Sequence, residues 1–133
     1  MSQRRIFQLQ CYGNLLCLRA SVRGISGDPR VVRLLVDTGS SFTVVPMQVL
    51  NDIGYRSDVM GRSVSIMAAS GFIRSPIISV LEFNCLGQQV TDFPVVGLNV
   101  PFNPVFNGIL GMDFMTKFRS VLDIQKAEIL VGL

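Results

Sequence analysis

Histidine does not occur in this chain, and its absence removes a large part of protein chemistry. Nucleophile systems built on an imidazole base, Ser-His-Asp or Cys-His, cannot be assembled. Histidine-ligated metal sites are excluded as well. Cysteine is scarce: Cys11, Cys17 and Cys85 cannot all pair within one chain, and their spacing matches no zinc pattern. They read as buried free thiols in a reducing compartment, which makes the expected location cytoplasmic. No run of about 18 apolar residues occurs, so no membrane insertion is expected. The opening MSQRRIFQLQ is basic but lacks the apolar centre and small-residue cleavage site of a signal peptide. The net charge is only +3. The basic residues are scattered from Arg4 to Lys126, without a stripe of bases interleaved with aromatics, so no nucleic-acid partner is expected.

What is present suits a folded β-protein. A length of 133 residues fits one domain, spanning 1–133. With 49% hydrophobic and 16% charged residues, the chain can bury a core and is unlike a disordered one. Twelve glycines and six prolines call for many turns. Residues 6–22 carry β-formers in alternation and predict one long or two short strands, with Tyr12-Gly13-Asn14 as a turn. Residues 24–30 are a strong turn signal, and Val31 to Val36 is an apolar run suited to a buried strand. Phe42 to Val45 is extended and stops at Pro46. Met47 to Ile53 fits a short helix ending at Gly54. A hairpin is expected over residues 63–80 with its turn at Ala68 to Gly71, and a second over 79–96 turning at Leu86 to Gln89. Residues 97–107 form a loop. Gly108 to Gly111 is a strand, Met112 to Phe118 a short helix, and residues 121–131 a closing hairpin.

Asp37 carries the chemistry. A buried apolar strand, Val31 to Val36, delivers it at its tip. Thr38 and Ser40 place hydroxyls beside it, and Gly39 permits a tight turn and close approach of another backbone. Taken alone, Asp37-Thr38-Gly39 is an ordinary carboxylate on a turn. The wider pattern differs. Residues 34–41, Leu-Leu-Val-Asp-Thr-Gly-Ser-Ser, resemble the catalytic loop of aspartic peptidases. About 70 residues on, Gly108-Ile109-Leu110-Gly111-Met112-Asp113-Phe114 resembles the family's second element. The chain is similar to single-domain, retropepsin-like aspartic peptidases, including cellular bacterial members, over roughly residues 10–132.

That resemblance implies an all-β, closed, barrel-like acid-protease fold with one or two short helices. It implies an aspartic endopeptidase that works as a homodimer, because only one such loop is present and two carboxylates are needed. The substrate would be a peptide or protein in extended form, with no cofactor and no metal. Asp37 becomes the catalytic residue, with Thr38, Gly39 and Ser40 supporting its loop. Met67, Ala68, Ala69, Ser70, Gly71 and Phe72 fall where the family places its flap, against the alternative of a plain surface hairpin. Phe42, Val44 and Ile109 either line substrate pockets or belong to the core. Asp113 is expected to act structurally at the start of its helix. The tail, residues 129–133, either joins a sheet shared between subunits or forms a strand in its own domain. The chain departs from the pepsin-like pattern in having no flap tyrosine, and from the viral pattern in having Phe42 where acidic residues follow the catalytic loop. A catalytically inactive dimerisation or peptide-binding module with the same fold is the alternative function.

Overall fold

Alternating burial along two adjacent strands starts the barrel. The computed structural model describes residues 4–57, 61–68, 71–101 and 103–132. The expected opening strands are three: β1 (Arg5–Gln8), β2 (Gln10–Tyr12) and β3 (Leu15–Arg23). Gly13, with φ +62°, makes the turn between β2 and β3. β3 is followed by β4 (Pro29–Val36). Leu18 lies opposite Leu34 and Ala20 opposite Val32, and all four side chains are buried. The period of two thus places one face of both strands in the core and leaves Arg19, Arg23 and Val31 outside.

After β5 (Val44–Val45), Pro46 precedes helix α1 (Met47–Asp52), where a missing backbone N–H removes no helical hydrogen bond. Gly54, at φ +103°, turns the chain out of it. The middle of the chain is β6 (Ser63–Ala68), β7 (Gly71–Cys85) and β8 (Gln88–Gly97). The two expected hairpins share one continuous strand, β7, of 15 residues. Pro76 does not interrupt it, because it sits opposite Ser63 at the start of β6, where one lost donor is tolerated. The β7–β8 turn is shorter than expected: only Leu86 and Gly87 lie between the strands, both at positive φ, as two-residue hairpin turns require. The chain ends with β9 (Gly108–Leu110), α2 (Met112–Lys117), β10 (Val121–Asp123) and β11 (Glu128–Val131).

Eight strands form one sheet in the order β2-β3-β4-β9-β5-β8-β7-β6, and β7 also pairs with β3, which closes the sheet into a ring. Phe114 of α2 enters the interior and meets Phe83 and Phe93, with ring centroids 5.7 Å and 6.2 Å away. Each fully buried phenylalanine contributes about 1.5–3 kcal/mol by burial alone. The remaining strands make a second sheet, β1-β11-β10. β11 occupies its centre, hydrogen-bonded on both sides within its own chain. The described part of the tail is therefore a strand of its own domain, with Ile129 and Val131 buried. Among the described residues no helix is long and apolar enough to cross a membrane. The three cysteines are free, but Cys11 is exposed on β2, not buried as its composition suggested. Cys17 and Cys85 are buried, and burial pushes both thiols up, with Arg33 partly opposing this at Cys17.

Candidate active site

Asp37 stands where β4 ends, and its loop is held by a strand that arrives from far along the chain. β9 runs parallel to β4, with Leu34, Leu35 and Val36 opposite Gly108, Ile109 and Leu110. On its other side β9 meets β5 antiparallel at Val44–Ile109. It therefore lies between the strand that enters the loop and the strand that leaves it. Two backbone hydrogen bonds stitch this crossing: Asp37 N–H donates to the Leu110 carbonyl (3.1 Å), and Met112 N–H donates to the Ser40 carbonyl (2.8 Å).

The glycines that bracket β9 are explained by this proximity. A Cβ at Gly108 would lie 2.5 Å from the Val44 carbonyl oxygen, and one at Gly111 would lie 2.4 Å from that of Phe42. Backbone cannot yield as a flexible side chain can, so both positions demand glycine. Asp113 completes the fastening. Its Oδ2 accepts the Thr43 N–H (2.9 Å), and its Oδ1 accepts the Thr43 hydroxyl (2.8 Å) and the Phe114 N–H (2.8 Å). Thr43 Oγ1 in turn accepts the Gly111 N–H (3.2 Å). The expected structural role of Asp113 takes this form: its carboxylate ties α2 to the exit of the loop, while Gly111 occupies the cap position without a side-chain bond.

Within the loop, Asp37 is half-buried and Thr38 and Gly39 are exposed. Asp37 Oδ1 accepts the Gly39 N–H at 2.9 Å. A Cβ on Gly39 would sit 3.2 Å from that oxygen, so glycine leaves the carboxylate undisturbed. The Ser40 hydroxyl turns to the loop's own backbone and donates to the Phe42 carbonyl (2.7 Å). Thr38 borders a hollow of about 400 Å³ whose walls include Met112, Met115, Ser120 and Leu122.

Of the remaining expected residues, Met67 and Phe72 face each other across the β6–β7 hairpin, and Ala68 pairs with Gly71. Met67 and Phe72 are 76% and 73% exposed, an unusual position for large apolar side chains. Ala69 and Ser70 lie outside the described residues. Phe42 and Ile109 are half-buried. Val44 is buried at 4% exposure and belongs to the core. Thr43 was not singled out from the sequence. Its signal is a hydroxyl residue inside the apolar run Phe42 to Val45, and it is fully buried.

A family model described as aspartyl protease matches residues 19–114. Among solved structures, a retropepsin-like aspartic protease from Rickettsia conorii superimposes with a TM-score of 0.69 at 15% identity, covering 99% of this chain and 92% of that one. The EIAV protease in complex with the inhibitor HBY-793 superimposes with a TM-score of 0.56 at 19% identity, covering 86% and 99%. At these identities the likeness is one of fold. No curated protein matches the sequence. With the family model spanning most of the ring and both elements that cross at Asp37, the chain belongs to the aspartyl protease family and has the retropepsin-like fold.

Proposed function

We propose that the chain is an aspartic endopeptidase that assembles its catalytic centre from two copies of Asp37 in a homodimer. The observation that carries this reading is the placement of Asp37: a half-buried carboxylate at a strand tip, on a loop fastened by β9 and by the Thr43–Asp113 pair. Such a loop is built to hold a carboxylate in one position, and the sequence contains a single copy of it. A two-fold axis beside the loop brings in the second.

Two carboxylates at short range share one proton, because both cannot ionise easily; this is the general pattern of aspartic proteases. The ionised Asp37 takes a proton from water as the oxygen attacks the scissile carbonyl carbon. The protonated Asp37 gives its proton to the carbonyl oxygen. The tetrahedral intermediate then collapses: the C–N bond breaks, the leaving nitrogen takes the proton from the protonated carboxylate, and a hydroxyl of the intermediate returns a proton to the ionised one, which restores the dyad. Thr38, exposed at the loop's apex, would interlock with the partner's loop. The β6–β7 hairpin would close over an extended peptide and exclude water, with Met67 and Phe72 offering apolar contact. Phe42 and Ile109 would contribute to the pockets.

The hollow beside Thr38 supports the position of the partner. Met112 and Val121 are large apolar residues exposed nearby at 40% and 44%, and β10 forms an edge of its sheet. A second copy packed there would cover all of these. The free cysteines suit a reducing compartment, and we place the protein in the cytoplasm.

The test is Asp37→Asn. Loss of cleavage across a peptide library at every pH, with the sedimentation coefficient of the dimer retained, is the expected result. Cleavage at the wild-type rate by this variant would sink the proposal.

A further inference from the structure

Arg19 and Arg33 stand directly opposite each other on the outer face of β3 and β4. Like charges in this arrangement repel and weaken a strand pair. On the same two strands, Arg23 pairs with Glu82 at 3.3 Å, and Arg30 approaches Asp52 at 3.9 Å. Neither Arg19 nor Arg33 has such a carboxylate among the described residues. Among the described residues the Arg33 guanidinium makes one long bond, to the Val105 carbonyl at 3.5 Å.

Two hollows meet at this pair. One, of about 390 Å³, runs from Arg33 to the loop at residues 103–107. The other, of about 440 Å³, runs from Arg19 to the β7–β8 turn. They share Arg19 and Val31 and form one trough across the sheet, and no acidic residue lines either of them. Val31, 61% exposed, is an apolar step in the middle, and Phe106 walls one end. Amide side chains stand at both ends, Asn103 and Asn107 at one and Gln88 and Gln89 at the other.

We propose that this trough is a docking site for an acidic, extended segment of a protein substrate, separate from the Asp37 cleft. Charge complementarity selects the occupant: a carboxylate between the two guanidinium groups replaces a repulsion with two charge-assisted hydrogen bonds. Gln88 and Gln89 can match peptide N–H and C=O groups, Asn103 and Asn107 offer their NH2 donors to peptide C=O while their oxygens accept the chain's own backbone N–H groups, and Val31 with Phe106 accepts an apolar side chain. Two arginines do not make the long basic track that a nucleic-acid backbone requires.

Arg19→Glu tests this, because a merely structural arginine and a docking arginine respond in opposite directions. The substitution places opposite charges across the strand pair, so the melting temperature is expected to hold or rise. A fluorescently labelled peptide of alternating glutamate and leucine, followed by anisotropy at low salt, is expected to bind the wild-type protein. Its affinity should fall about tenfold in Arg19→Glu and further in Arg19→Glu with Arg33→Glu. Cleavage of a short neutral peptide should be unchanged in both variants, which separates this site from the catalytic reading. Failure of the wild type to bind the acidic peptide, equal binding by Arg19→Glu, or tighter arginine-dependent binding of inorganic phosphate or a DNA duplex than of the peptide would each overturn the proposal.

Discussion

At the scale of single residues, the informative side chains are those whose surroundings contradict their chemistry. Cys85 is 3% exposed, and its thiol is pushed well above the ordinary value of 9.0 because burial disfavours the thiolate. Cys17 is raised for the same leading reason. A group whose pKa is raised on folding keeps its proton in the folded state and loses it when unfolded. Its contribution is therefore fully present below the unfolded value and declines as pH climbs beyond it. Stability should fall from near pH 9.0 upward, at about 1.4 kcal/mol per pH unit for each thiol that stays protonated. Urea unfolding at about pH 8 and about pH 10 checks this. Cys85→Ala should make the alkaline decline shallower, even though the smaller side chain lowers stability at neutral pH. An unchanged decline would show that other groups produce it. Sequence alone could not distinguish these two thiols from Cys11. Cysteine is apolar enough to be buried by default, and the exposure of Cys11 follows from β2 lying at the edge of its sheet.

At the scale of elements, the loop around Asp37 is set by partners about 70 residues away. Asp37 itself was legible because its strand, glycine and hydroxyls are contiguous in the chain. The two glycines of β9 were legible as punctuation, but the reason for them was not, since it lies in carbonyls of Phe42 and Val44. Thr43 was missed because a threonine within a strand is unremarkable until its bonds to Asp113 and Gly111 are seen. The shared strand β7 was divided between two hairpins because turn signals mark the ends of strands but not which sheet neighbours a long strand serves. Thr43→Val tests the fastening, since it keeps the shape and removes only the hydroxyl. Asp113 Oδ1 would lose a donor and the Gly111 N–H its acceptor, at a cost of about 2 kcal/mol. A lower urea midpoint with unchanged slope is expected. The rate of peptide cleavage should also drop, by about tenfold, because a loosened loop no longer holds the carboxylate in register. Wild-type stability in Thr43→Val would mean that the hydroxyl's bonds to Asp113 and Gly111 do not fasten the loop.

At the scale of the whole molecule, the ring and its three-stranded companion sheet carry one Asp37, and the proposed centre needs two. The apolar pattern made the β-rich architecture legible, and the resemblance supplied its closure. The route of the tail remained open, because an apolar strand serves equally well inside a domain or between subunits. β11 is hydrogen-bonded on both sides, so in the proposed dimer the partner would use other surfaces, such as the hollow beside Thr38. This makes subunit mixing the decisive measurement. If each centre needs one Asp37 from each copy, a mixed dimer of wild type and Asp37→Asn has a single ionisable carboxylate and no dyad. At a concentration where sedimentation shows dimer, and after exchange has reached equilibrium, subunits pair at random. An equal amount of Asp37→Asn added to a fixed amount of wild type should then cut activity to about one half, and a ninefold excess to about one tenth. An Asp37→Asn variant that also carries Met112→Arg, which places a charge on the proposed contact face, should be far less inhibitory because it cannot enter the dimer. Activity that stays constant as Asp37→Asn is added would mean that each chain acts alone, and the shared centre would have to be abandoned.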